Sequence, residues 1–208
     1  MESISKELIS RIIKKRKSAT YKGNYGRLLL IGGSKKYGGA LIMAAEGALN
    51  SGAGLVTVAT DQVNIPALHT RDPEIMALNW DESVELKNLI KNVDVVVCGM
   101  GLGLDDKAQQ ILRLVRDNIT LKQTLILDAS ALDLIGQQND LLTLNSKILI
   151  FTPHQMEWER LSGIKISDQS DELNQVALDK LVKNKNAILV LKSNHTKVYD
   201  QAGHIYLN

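Results

Sequence analysis

Only four histidines and three prolines occur among the 208 residues, and one of each stands side by side in TPHQME, residues 152–157. Pro153 stiffens the turn after an apolar run, His154 offers a donor or acceptor near neutral pH, and Glu157 falls one helical turn further on. A carboxylate in that place could hold a magnesium-bound water beside phosphates. A histidine satisfied by local backbone, with a glutamate in the first turn of a helix, would explain the same letters.

Four other stretches could serve a ligand. GGSKKYGGA, residues 32–40, joins a strand to a helix whose first turn holds Gly39 and Ala40. Small residues let a ligand approach the backbone, and free amides at a helix start attract anions. It has neither the Walker order nor the GxGxxG order, and a tight turn without a ligand accounts for it equally well. GMGLG, residues 99–103, puts three glycines directly after an apolar run, for close backbone approach or for chain reversal. Asp128 in LILDAS could contact a substrate or metal, or cap the next helix. KSNHT, residues 192–196, offers Lys192 as a point charge for phosphate, or a solvated turn. His69 and His204 have no partner at useful spacing and read as surface residues.

The elements that must position these groups are legible as short, continuous apolar runs. They are RLLLIGG (27–33), GLVTVAT (54–60), DVVVCGMG (94–101), TLILDAS (124–130), ILIFTPH (148–154) and AILVLKS (187–193). Continuous rather than alternating hydrophobicity predicts strands covered on both faces of a parallel sheet. Helical patterns lie between them. Residues 39–52 are rich in Ala and Leu and close at glycine; after 105, Asp105 can cap a helix that turns Ile111, Leu112, Val115 and Ile119 inward. Residues 169–184 predict another, with Val176, Leu178, Leu181 and Val182 inward. The N-terminus reads as a short amphipathic helix ending in the basic run KKRK, and KVYDQAGHIYLN reads as a hairpin. Strand and helix in alternation predict an α/β sandwich, in which ligands bind beyond the carboxyl ends of the strands. All five polar or glycine-rich motifs fall at that edge.

Composition narrows the function. With 44% hydrophobic and 23% charged residues the chain is of globular type, expected as one domain over residues 1–208. No apolar run approaches the roughly 18–20 residues of a membrane span, so no membrane partner is expected. A net charge of +2 and eight aromatic residues (one Phe, two Trp, five Tyr) argue against nucleic acid. A single cysteine, Cys98, excludes a disulfide framework and suits a reducing cytosol, so the chain is expected to be cytoplasmic.

Each motif is weak alone, but their order is specific. The succession KGNYGRLLLIGGS, YGGALIMAAEGALNSGAGLVTVAT, DPEIM, VVCGMGLG, LILDASAL, ILIFTPHQMEWERL and VLKSNHTKVY, from about Lys22 to Asn208, resembles the NAD(P)H-hydrate dehydratase family of the ribokinase-like superfamily. The resemblance implies a three-layer α/β/α sandwich with a mostly parallel central sheet. It implies a carbon-oxygen lyase that repairs (S)-NAD(P)H hydrate with ADP or ATP and Mg2+, by phosphorylating the added hydroxyl and then eliminating phosphate. Ala40, Gly103 and His154 would contact the hydrated dinucleotide, and Glu157 would act on the metal through water. Lys192, Ser193, Asn194, His195 and Thr196 would match the family's KGNxT stretch that holds the adenine nucleotide. A homo-oligomer, with a tetramer as the family guide, is expected.

The chain departs from the family pattern at Met156, Ser193 and Ser130, where the family has glycine, glycine and aspartate. Its family counterpart to the catalytic base lies in a Gly-Thr-Gly-Asp loop that would follow the hairpin beyond Asn208. The fold is therefore expected to be incomplete at its C-terminal side, with apolar sheet surface exposed and self-association unless another chain covers it. Two other functions stay open at this point: a small-molecule kinase of the same superfamily, and a non-catalytic dinucleotide-binding protein.

Overall fold

A computed structural model describes residues 2–13, 15–138, 144–182 and 186–208. Ten strands form one sheet: β1 (Glu2–Ser3), β2 (Arg27–Ile31), β3 (Leu55–Thr60), β4 (Met76–Asn79), β5 (Val95–Cys98), β6 (Thr124–Leu127), β7 (Ile148–Phe151), β8 (Ala187–Leu191), β9 (Lys197–Asp200) and β10 (Ile205–Leu207). Their spatial order is β1-β10-β9-β8-β7-β6-β5-β2-β3-β4. From β4 to β8 all neighbours are parallel; β9 runs antiparallel to both β8 and β10. Strand order reverses where β5 meets β2, which opens a crevice at the carboxyl edge.

The described helices are α1 (Lys6–Ile12), α2 (Gly38–Asn50), α3 (Ile65–Arg71), α4 (Ser83–Asn92), α5 (Asp106–Asn118), α6 (Ser130–Gln137), α7 (Gln155–Ser162) and α8 (Asp171–Leu181). Residues of α4 to α8 join one core with Val96, Cys98, Leu125, Leu127, Leu149, Phe151 and Leu189. The second core, on the other face, combines Leu41, Ala45 and Leu68 of α2 and α3 with Leu30, Val56 and Val58. Full burial of each Leu or Phe contributes about 1.5–3 kcal/mol. Helices on both sheet faces make the expected three-layer sandwich.

Coverage is uneven. The residues that pair across β6, β7 and β8 as Ile126, Ile150 and Ile188 form one row, and all three are only half-buried. The neighbouring row Leu125, Leu149 and Ala187, which faces the opposite way, is buried. Val190 and Val198, paired across β8 and β9, extend the half-buried strip. The exposed apolar sheet surface expected from the sequence reduces to this partly covered strip, none of whose residues is exposed.

Most expected elements appear with their expected caps. Asp105 Oδ1 accepts from the Ala108 N–H at 2.9 Å, and Ile111, Leu112, Val115 and Ile119 are all buried. The hairpin turns at Asp200–Gly203, as read. Two expectations need correction. Val176 is 46% exposed, because the inward row of α8 is Asn174, Ala177 and Leu178; Asn174 takes a core position by accepting from Trp158 Nε1 at 2.7 Å. His204 is not without a partner: its Nδ1 lies 2.9 Å from Asp200 Oδ2, one helical-turn spacing away across the hairpin turn. Residues 183–184 of the expected last helix, and Lys14 of the basic run, lie outside the described residues.

A polar network ties α7, α8 and β9 together. Asn174 Nδ2 reaches Tyr199 Oη at 3.4 Å, and the Tyr199 hydroxyl and Lys197 Nζ both donate to Asp171 Oδ1 at 2.7 Å. Burial works to raise the Asp171 pKa, but the hydrogen bonds from Lys197 and Tyr199 outweigh it and hold the carboxyl below its ordinary value. Burial, and then the Asp171 carboxylate, push the Tyr199 phenol up. This network fixes the start of α7 relative to the loop that precedes β9, which is where two of the motifs lie.

Candidate functional site

Each motif stands at the carboxyl end of a parallel strand, and hydrogen bonds clip the strand ends to one another. After β2, Gly33 N donates to Met100 O at 2.8 Å and Ser34 N to Gly101 O at 2.7 Å, so the two glycine loops form one surface. The Gly33 carbonyl is held in turn by Thr60 Oγ1 at 2.8 Å and Asn64 Nδ2 at 2.6 Å. Ala40 is exposed in the first turn of α2, and its N–H donates to Tyr37 O at 3.3 Å. Gly103 has φ +93°, a conformation that disfavours a side chain, and the nearest atoms to a Cβ built there are those of Ser34 at 3.9 Å. Without a side chain, its partly exposed backbone stands beside Ser34 and can be approached closely.

The second half of the edge is polar. Lys192 Nζ donates to Asp128 Oδ1 at 2.7 Å, and Thr152 Oγ1 donates to the same oxygen at 2.9 Å. Lys192 N donates to Pro153 O at 2.8 Å, and His154 bridges to Lys192 in parallel register. Asp128 thus binds across β6, β7 and β8 and does not cap α6, whose N-terminal residue Ala129 carries no side-chain cap. Ala129 adopts φ +47° and ψ −120°, a strained backbone for a residue with a Cβ. Its neighbour Ser130 accepts from the Gly103 N–H at 3.2 Å. The turn Asp128–Ser130 therefore joins the glycine loops to the Lys192 side.

His154 and Glu157 form a reciprocal cap on α7. The Glu157 carboxylate accepts from His154 N at 2.9 Å, and His154 Nδ1 accepts from Glu157 N at 3.3 Å. The His154 side chain is 52% exposed while that of Glu157 is 8% exposed. The ordinary capping role weighed for this pair is therefore real, and it leaves the imidazole accessible at the rim. In the 193–196 loop, Ser193 Oγ donates to His195 O at 2.7 Å and accepts from His195 N at 3.2 Å, and Thr196 Oγ1 donates to Ser193 O at 3.4 Å. Ser193, Asn194 and His195 are exposed.

Among the described residues no three His, Cys, Asp or Glu side chains stand together as a metal cage. Asp128 is paired with Lys192, and Glu157 is committed to His154. With both carboxylates so engaged, the described residues offer a cation no direct protein cage, and one carried in by a ligand would keep most of its own waters. Sequence reasoning missed the Thr60 and Asn64 clamp, the strain at Ala129 and the position of Tyr37 beside the glycine loops. Only Tyr37 had a signal, as an aromatic residue directly before Gly38 and Gly39.

A mostly parallel α/β sandwich with glycine loops, a cation and a histidine gathered at one carboxyl edge defines a ribokinase-like small-ligand protein. The comparisons narrow this. The family profile described as NAD(P)H-hydrate dehydratase matches residues 28–208. The ADP-dependent (S)-NAD(P)H-hydrate dehydratase of Enterococcus faecalis is 45% identical over 208 residues, covering 100% of this chain and 69% of that protein. The enzyme of the same name from Lactiplantibacillus plantarum is 46% identical over 199 residues, covering 96% of this chain and 69% of its own length. A crystal structure of a ribokinase-like superfamily protein from Enterococcus faecalis superposes with a TM-score of 0.93 at 45% identity, covering 100% of this chain and 71% of that one. The Bacillus subtilis ADP/ATP-dependent NAD(P)H-hydrate dehydratase, co-crystallised with ATP/Mg2+, shares the fold with a TM-score of 0.78 at 24% identity, covering 98% and 71%. The chain belongs to the NAD(P)H-hydrate dehydratase family.

Proposed function

We propose that this chain serves nucleotide-dependent dehydration of (S)-NAD(P)H hydrate to NAD(P)H, with ADP or ATP as the nucleotide and Mg2+ as the cation. The observation that carries the reading is the parallel bridge between His154 and Lys192. It sets the proposed substrate rim and the proposed nucleotide loop side by side on adjacent strand ends. Ala40, Gly103 and His154 hold the hydrated dinucleotide, and Lys192, Ser193, Asn194, His195 and Thr196 hold the adenine nucleotide.

The chemistry is transfer of the terminal phosphoryl group of ADP or ATP to the oxygen of the added hydroxyl, which releases AMP or ADP and the hydroxyl proton, then loss of phosphate with a neighbouring ring proton as the ring regains its double bond. Magnesium, when bound, neutralises phosphate charge. Open backbone at Gly103 lets the dinucleotide lie close, while the exposed imidazole of His154 hydrogen-bonds and orients it. The Lys192 ammonium uses one of its three donors on Asp128, which leaves two for phosphate oxygens. Positioning of two ligands in one crevice is the main contribution these residues make. No catalytic base is assigned among them. The half-buried Ile126, Ile150 and Ile188 row supports a homo-oligomer, and the single buried Cys98 supports a cytoplasmic setting.

The test is titration calorimetry with NADPH hydrate and, separately, ADP or ATP with Mg2+, alongside recovery of reduced-nicotinamide absorbance in the mixture. Both ligands bind the wild-type chain. His154→Ala weakens the hydrate and spares the nucleotide, and Lys192→Ala does the reverse. Failure of the wild type to bind either ligand would sink the reading.

A further inference from the structure

Tyr37 is one of the large hydrophobic side chains left in solvent, at 50% exposure. It belongs to neither core, yet its backbone is among the most constrained at the site. Its N–H donates to Ser34 O at 2.9 Å, and its carbonyl accepts from Ala40 N. The same carbonyl presses on Gly101 so closely that a Cβ there would lie 2.3 Å from the oxygen and 2.9 Å from Tyr37 Cβ. Only glycine at 101 permits this approach. These contacts hold the Tyr37 backbone, and so the root of an exposed ring, where the two glycine loops meet.

The surroundings specify what the ring would meet. On one side the Lys36 ammonium stands 5.2 Å from the ring centroid. In the first turn of α2 that follows, a Cβ built at Gly39 meets nothing within 4 Å, and Ala40 is exposed. Ser34, which accepts from Tyr37, is also the nearest neighbour of Gly103. An exposed aromatic ring therefore springs from a held stretch of backbone three residues before Ala40, with a cation at hand. A tyrosine has two side-chain torsions to order, so it supplies stacking area at little entropic cost. An aromatic base carrying phosphate satisfies both the ring and the lysine.

Resting on the function proposed above, we infer that Tyr37 is a further binding residue, whose ring stacks on an aromatic heterocycle of the dinucleotide substrate while Lys36 faces its phosphates. The nucleotide proposed at residues 192–196 follows β8, four strands along the sheet from β2, which Tyr37 follows.

The experiment compares wild type, Tyr37→Phe and Tyr37→Ala by calorimetric titration with NADPH hydrate and, separately, with ADP and Mg2+. Tyr37→Ala is expected to weaken hydrate binding about tenfold, the scale of one lost base-aromatic stack. Tyr37→Phe, which keeps the ring, stays within about twofold of wild type. ADP affinity and the unfolding temperature are unchanged in both, since the side chain is exposed. Unaltered hydrate binding in Tyr37→Ala overturns the inference, and so does an equal loss for ADP. Wild type that binds no hydrate at all would instead bring down the function on which the inference rests, and with it this role for Tyr37.

Discussion

Glu157 holds a structural and a proposed functional role at once, and two substitutions separate them. Its carboxylate accepts from the His154 N–H at 2.9 Å and its side chain is 8% exposed. Glu157→Ala removes that acceptor and leaves the donor at the rim of α7 without its partner. Losing this cap bond, and so orphaning a partly buried N–H, costs about 1–2 kcal/mol. That corresponds to a drop of roughly 2–8 °C in the unfolding temperature for a chain of this length. Glu157→Gln keeps an oxygen where the cap needs one and should lose less than about 1 kcal/mol. It removes the charge, however, so magnesium-dependent binding of ADP or ATP should weaken about tenfold if the carboxylate acts on the cation through water. Thermal unfolding by circular dichroism reads the first effect, and calorimetry with and without Mg2+ reads the second. If Glu157→Gln melts as low as Glu157→Ala, the cap argument is wrong. If it binds magnesium-nucleotide as tightly as wild type, the metal role is wrong.

Two further expectations follow from the geometry. Because hydrogen bonds hold the Asp171 pKa below its ordinary value of about 3.9, the carboxylate contributes stability above that value and loses it as pH falls through the lower folded-state pKa. Urea unfolding of wild type and Asp171→Asn should therefore differ most near neutral pH and converge in acid; curves that stay parallel would refute the assignment. Ala129→Gly should stabilise the chain by about 1 kcal/mol, opposite in sign to the usual change, because it releases the strain at φ +47°. A lower urea midpoint in this variant would show that the turn is not strained.

The central sheet was legible because β2, β3, β5, β6, β7 and β8 are continuous apolar runs closed by glycine or polar residues. Such runs predict burial on two faces, which β2 and β3 nearly reach, whereas β5 to β8 bury one face fully and the other only in part. The segment from 61 to 93 was not legible. It forms α3, β4 and α4, but β4 is only Met76–Asn79 and α3 begins at Ile65 beside Pro66, so neither repeats long enough to declare a period. The error at Val176 has a sharper cause. Hydropathy favours valine over asparagine for the inside of α8, whereas the fold buries Asn174 because Trp158 needs an acceptor there. Site positions were legible as strand ends, but their pairings were not. Asp128 could be read as a cap or a contact, and only the third dimension shows that Thr152 and Lys192 claim it.

The departures from the family pattern can be weighed against the same geometry. Met156 lies in the first turn of α7 with its side chain 49% exposed, so it meets solvent and does not fill the core beneath. Ser193 bonds both ways with His195, which closes the 193–196 loop through a side chain where glycine would leave it open. Ser130 supplies an acceptor for the Gly103 N–H, a task for which one hydroxyl oxygen suffices. Met156 thus meets solvent, while Ser193 and Ser130 bond within the loops that carry Lys192 and Gly103. Of the three, only Ser193 stands among the residues proposed to hold a ligand, so its replacement of glycine bears directly on the nucleotide loop, whereas Met156 and Ser130 act beside the site.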